Sequence, residues 1–150
     1  MKPFFKTIPV LFLGISVSCS NNKNENTLRN EDQSFIRELG ILDSLEEIEL
    51  FESNGGFKGF KQSGNFITKK RIASYWIEDG EKEVHSAFFS TDIDSISQTD
   101  LVSKLTYASY LTVYKTDGSS FRVYVDADSV RTYQFFNKAK ENWEKYRENK

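Results

Sequence analysis

The chain has one cysteine, Cys19, and one histidine, His85, in 150 residues. A single cysteine rules out an intramolecular disulfide. One histidine with no second thiol falls short of the three or four nitrogen and sulfur donors that a zinc site usually recruits. Long apolar runs are also scarce: the stretch Ile8 to Val17 is about half the roughly 20 residues a membrane-spanning helix needs. There is no surplus of positive charge either. Without the first 18 residues the balance is 18 basic to 22 acidic side chains, a net charge of about −4, whereas a nucleic-acid partner calls for clustered excess Lys and Arg. A Ser-His-Asp hydrolase would have to use His85, and no Gly-x-Ser-x-Gly elbow accompanies it. Asp92, Asp94 and Asp100 could crowd a hard cation, but the glycine and closing glutamate of a calcium loop are missing, which favours a solvated acidic edge. No catalytic residue, metal site or cofactor is therefore expected.

What is present begins at the N-terminus. Lys2 and Lys6 form a positive start, Ile8 to Val17 an apolar centre, and the small residues Ser16 and Ser18 precede Cys19, the grammar of an export signal. Ile15-Ser16-Val17-Ser18-Cys19 resembles the lipobox of bacterial lipoproteins. Ser16 stands where that family usually carries Leu, Val or Ile, and Ile15 lies one place earlier. The resemblance implies a diacylglycerol on the Cys19 thiol, cleavage before it, palmitate incorporation, and residence in the cell envelope on the periplasmic or surface face of a membrane, most naturally the outer one. An ordinary secretory signal with an incidental cysteine is the competing reading. The expected organisation is a signal peptide at 1–18, lipidated Cys19 with a flexible tether at 19–30, and one domain at 31–150. The tether, Ser20 to Asn30, is polar and nearly free of large side chains. It would hold the domain on the order of 20 Å from a bilayer.

The domain itself is rich in aromatic residues, with 13 Phe and seven Tyr to build a core. Period and punctuation predict a helix over Glu31–Leu39, closed by Gly40, and then strands over Leu45–Phe51, Phe57–Lys61, Asn65–Thr68, Arg71–Ile77 and Val84–Phe89. Ser53 to Gly56, Ser63-Gly64 and Asp79-Gly80 are the predicted turns. Asp92 to Ile96 reads as a less regular stretch. A hairpin of Tyr110–Tyr114 and Phe121–Val125 about Asp117-Gly118 is the strongest local signal. Asp126 or Asp128 then caps a final amphipathic helix whose apolar stripe runs through Val130, Tyr133, Phe136, Ala139, Trp143 and Tyr146.

This gives an α+β fold: a strongly bent antiparallel sheet or barrel of about seven strands, a short N-terminal helix and a C-terminal capping helix. Three segments are similar to the bacterial pleckstrin-homology-like (PH-like) family: Gly64 to Tyr75, with Thr68 and Arg71 at matching places, Asp92 to Ile96, and Leu111 to Val125. The resemblance implies a PH-like barrel plugged by the last helix. Cystatin-like and lipocalin-like sheets remain the alternatives.

Two surface features invite a functional reading. Lys58, Lys61, Lys69, Lys70 and Arg71 could hold an anionic headgroup or polymer, although edge-strand lysines more commonly guard a sheet against pairing. Phe57, Phe60, Tyr75, Trp76, Tyr107, Tyr110 and Tyr114 exceed what one face needs, and those turned outward could meet a protein partner. An exposed sheet edge beside them would accept an extended peptide by strand addition. The expectation is a membrane-anchored, non-catalytic interaction or scaffolding module. A lipid or small-ligand carrier and, further off, an envelope hydrolase acting through His85 remain open.

Overall fold

The computed structural model describes residues 28, 30–53, 56–104 and 108–148. The expected signal, Cys19 and nearly all of the tether lie outside them. In chain order come α1 (Asn30–Glu38), β1 (Ile48–Glu52), a 3-10 segment (Gly56–Lys61), β2 (Ser63–Thr68), β3 (Arg71–Glu78), β4 (Glu81–Phe88), β5 (Ile93–Thr99), β6 (Ser109–Lys115), β7 (Ser120–Val125) and α2 (Ser129–Arg147). The strands form two antiparallel sheets, β1-β2-β3-β4 and β5-β6-β7. The α+β class stands, while no strand pairing among the described residues closes the two sheets into a barrel. No described helix is long and apolar enough to cross a membrane.

Strand alternation makes the first sheet a middle layer. Phe66, Ala73 and Tyr75 point to one side, where they pack with Ile36 of α1 and with Ile41 and Leu42 just beyond it. Ile67, Ile72 and Ala87 point to the other, against Val113 and Val123 of the second sheet and Phe135, Phe136 and Ala139 of α2. Both faces of β2 are covered, so all six of its residues are buried. Gly64 is required there: a Cβ would come within 2.5 Å of the Tyr75 ring and 2.6 Å of Phe51. A bulge between Ile48 and Leu50 breaks the β1–β2 register. Beside it, Glu49 reaches across to Lys138 of α2 at 3.3 Å.

The two sheets cross steeply. Asn65, Ser74 and His85 are cross-strand partners on β2, β3 and β4. Phe121 of β7 stacks on His85 with ring centroids 5.2 Å apart, and three residues later the Tyr124 amide donates to Asn65 Oδ1 at 3.2 Å. Strand β7 therefore runs across the strands beneath it.

Several sequence expectations need correction. Phe57–Lys61 is not a strand: Gly59, at φ 60 and ψ −151, kinks a 3-10 segment there, a conformation that glycine tolerates and other residues rarely adopt. Ser63-Gly64 is the start of β2 rather than a turn. Asp92 to Ile96 is irregular, with a register shift between Ile93 and Ser95, but it belongs to a longer strand, Ile93–Thr99, paired with β6. On α2 the buried face is rotated, with Thr132, Phe135 and Asn142 inside and Val130 and Tyr133 64% and 46% exposed. Asp128, not Asp126, caps this helix, accepting from the Arg131 amide at 2.9 Å.

Candidate functional site

Because β7 lies along the row Asn65–Ser74–His85, the Trp76–Glu83 pair of the next row outward on the same face is left uncovered, while Ser63 at the β2 end of that row is buried. The step between the layers is a groove of ≈ 550 Å³ whose floor includes Trp76 and Glu83 and whose wall carries Arg122 and Tyr124. Alternation along β3 puts Trp76 on this face, 40% exposed, and its indole N–H donates to Glu78 Oε2 at 3.1 Å. His85 Nε2 lies 2.8 Å from Glu83 Oε1. Ser74, its neighbour on β3, donates its hydroxyl to Asn65 Oδ1 at 2.9 Å. The serine and histidine thus turn to different partners.

The wall is an aromatic stack. The Arg122 guanidinium lies 4.7 Å from the centre of the Tyr110 ring, and Tyr110 and Tyr124 are 5.6 Å apart. A hydrogen bond with Tyr124, supported by the nearby Tyr110 phenol, raises the Arg122 pKa above its usual value. The guanidinium rests on the Tyr110 ring at the exposed edge of the groove.

The backbone of β7 matters as much as its side chains. In an antiparallel strand the N–H and C=O of one residue point to the same side, and residues two apart share that side. The Tyr124 amide points away from β6 to reach Asn65. The backbone groups of Ser120 and Arg122 accordingly also point away from β6, those of Arg122 at the groove wall, along an edge where β7 has no strand neighbour among the described residues.

The basic set predicted from sequence is not gathered into one patch. Lys61 and the Lys69-Lys70 turn lie at opposite ends of β2, a strand of six residues that spans roughly 20 Å at the usual rise. The Lys58 side chain lies outside the described residues. Arg71 leaves the patch altogether: it is 4% exposed, with Nη2 2.7 Å from both Glu46 and Asp43, and its guanidinium covers the Phe88 ring at 4.1 Å. Thr68 Oγ1 fixes the turn by accepting from the Lys70 and Arg71 amides, each at 3.0 Å.

The acidic candidates also separate. Asp92 accepts from the Phe88 amide at 2.9 Å in the β4–β5 turn, and Asp94 is exposed. Asp100 accepts from the Val102 amide and the Tyr133 hydroxyl, two bonds that lower its pKa. Among the described residues no three His, Cys, Asp or Glu side chains group as metal ligands.

Of the predicted aromatics, Trp76 and Tyr114 are exposed, Tyr75 is buried, Phe60 packs beside Phe35, and Tyr110 joins the wall. Tyr107 and the Phe57 side chain lie outside the described residues. Sequence reasoning missed Asn65, Glu83, Arg122 and Tyr124, which meet only because the sheets cross. The alternation of Ser120 to Val125 was the one available signal, since it sends Arg122 and Tyr124 outward together.

The chain matches no protein-family model, no curated protein and no solved structure at a significant level.

Proposed function

We propose that this chain is an envelope lipoprotein, held at a membrane through acylated Cys19, whose domain is a PH-like interaction or scaffolding module without catalytic activity. It takes an extended segment of a protein partner as an additional strand along β7. The observation that carries this reading is the outward backbone edge of β7 at Arg122, on the wall of the groove whose floor holds Trp76. Main-chain hydrogen bonds of this kind supply affinity, and the pockets beside them supply selectivity. Four strands, three strands and one closing helix are also the order of the PH-like plan. The non-catalytic reading draws support from Ser74 and His85, whose hydrogen bonds run to Asn65 and Glu83 rather than to each other. A carrier is less well supported, because Ile72, Val113, Val123 and Phe135 fill the space between the sheets.

The test is crosslinking of the full-length protein in its native envelope, followed by identification of the adduct. One defined protein adduct is expected, lost in both Trp76→Ala and Arg122→Pro, together with palmitate labelling that disappears in Cys19→Ser. An adduct indifferent to both groove substitutions argues against the groove, and wild-type protein that takes up no palmitate argues against the anchor.

A further inference from the structure

We infer that the segment taken by this groove is basic, an extended peptide with Lys or Arg at alternate positions; the inference rests on the strand-addition reading above. Its ground is the distribution of charge across the β3–β4 hairpin. The register pairs Trp76 with Glu83 and Glu78 with Glu81, so all three carboxylates share the groove face with the indole. Lys82 pairs with Ile77 and falls on the opposite face. The outer end of the floor, lined by Glu78, Asp79, Glu81 and Glu83 with Lys82 alone at its rim, is therefore net negative, with His85 in contact with Glu83 at its inner side. Arg122 keeps its positive charge on the Tyr110 ring, but it lines the groove beside Glu83 and not the outer end with Glu78 and Glu81.

Geometry sets the spacing. A peptide lying along β7 crosses β4, β3 and β2 in turn, and its alternate side chains, roughly 7 Å apart, face the floor. One of them comes down between Glu83 and Trp76. A lysine or arginine there lays its aliphatic stem on the indole and carries its charge to the carboxylates. A glutamate in the same place meets Glu83 and Glu78 as like charges, and a serine leaves the indole uncovered.

The experiment is fluorescence anisotropy of full-length protein in detergent micelles with three labelled peptides: Thr-Lys-Val-Lys-Val-Thr, the same peptide with Glu for Lys, and the same with Ser for Lys. The lysine peptide should bind about fivefold or more tighter than the serine peptide, as expected for a few partly screened charges and one cation–π contact, and the glutamate peptide weakest. Glu78→Gln combined with Glu83→Gln should bring the lysine and serine peptides to parity. Arg122→Pro removes an outward N–H from an edge strand, where proline is tolerated, and should abolish binding of all three while Arg122→Ala retains it. If Arg122→Pro does not fold, Ser120→Pro at the first residue of β7 serves the same purpose. Failure of every peptide to bind overturns the strand-addition reading itself. Equal binding of all three peptides, lost in the proline variant, leaves that reading standing and overturns the basic one. A lysine preference unchanged in the double glutamine variant places the attraction elsewhere and also overturns it.

Discussion

Arg71 and Glu46 meet in the interior as a two-point pair: Arg71 Nε donates to Glu46 Oε1 at 3.1 Å, and Nη2 lies 2.7 Å from Oε2. Both residues are 4% exposed. Thr68 Oγ1 donates to the same carboxylate at 2.8 Å, and the Arg37 guanidinium donates to the Glu46 carbonyl at 3.0 Å and to the Asp43 carbonyl. The cluster thus ties the α1–β1 loop to the β2–β3 turn. Removing one partner of a sealed pair strands the other charge, so Arg71→Ala should lower unfolding free energy by about 3–5 kcal/mol. Arg71→Lys should recover only part of this, since an ammonium lacks the fork. Urea denaturation measures both; a loss below about 1 kcal/mol would mean that the pair behaves like a solvated one.

Gly64→Ala should destabilise by about 1–3 kcal/mol or more, because the new methyl enters the Tyr75 ring and neither Tyr75 nor Phe51 is free to retreat from a filled layer. The Tyr75 hydroxyl is further held by the Phe60 carbonyl, and burial raises its pKa well above the usual phenol value. A double variant, Gly64→Ala with Tyr75→Leu, should show less than additive loss in thermal melts.

Asn65 joins the sheets through its side-chain oxygen, which accepts from Ser74 and from the Tyr124 amide. Asn65→Ala should cost about 1–3 kcal/mol, the penalty of leaving buried groups unpaired. The diagnostic readout is hydrogen exchange: the Tyr124 amide should speed up, while amides bonded within the β6–β7 ladder stay protected. Unchanged Tyr124 exchange would show that this bond does not hold the crossing.

Glu52 and Arg131 give a pH signature. Burial raises the Glu52 pKa above 4.5, and Arg131 opposes the rise without cancelling it. A carboxyl whose folded pKa is raised contributes stability that is fully present below its unfolded pKa and is lost as pH rises through the folded value. Arg131→Ala removes the opposing charge, along with the bonds at 2.9 and 3.1 Å. It should therefore destabilise more at about pH 7 than at about pH 4, where Glu52 is largely protonated. Urea midpoints at the two pH values check this, and Glu52→Gln should flatten the difference.

Local chemistry was legible in the sequence wherever it was decided locally. The β6–β7 hairpin follows from alternation and from Gly118 at φ 85, and the β3–β4 turn from Asp79 and Gly80, both at positive φ. What escaped was decided by neighbours distant in the chain. Thr132 and Asn142 look like surface residues of α2, yet Asn142 donates to the Thr68 carbonyl at 3.0 Å and Thr132 to the Ala127 carbonyl at 3.3 Å, so the helix turns polar groups inward. Arg71 reads as part of a cationic run until Glu46, 25 residues earlier, is seen to claim it. Trp76 was visible as an aromatic in surplus, but its place on a groove floor depends on β7 crossing beside it, over Asn65 and His85, which no local pattern encodes.

The placement of β1–β4 between two hydrophobic clusters bears on how the domain comes apart. Residues next to each other on β2, such as Phe66 and Ile67, belong to opposite clusters, so separating β2 from β3 wets both at once. Neither half has a private scaffold on which to survive the loss of the other. Despite its two cores, the domain should melt in one cooperative transition rather than in two stages.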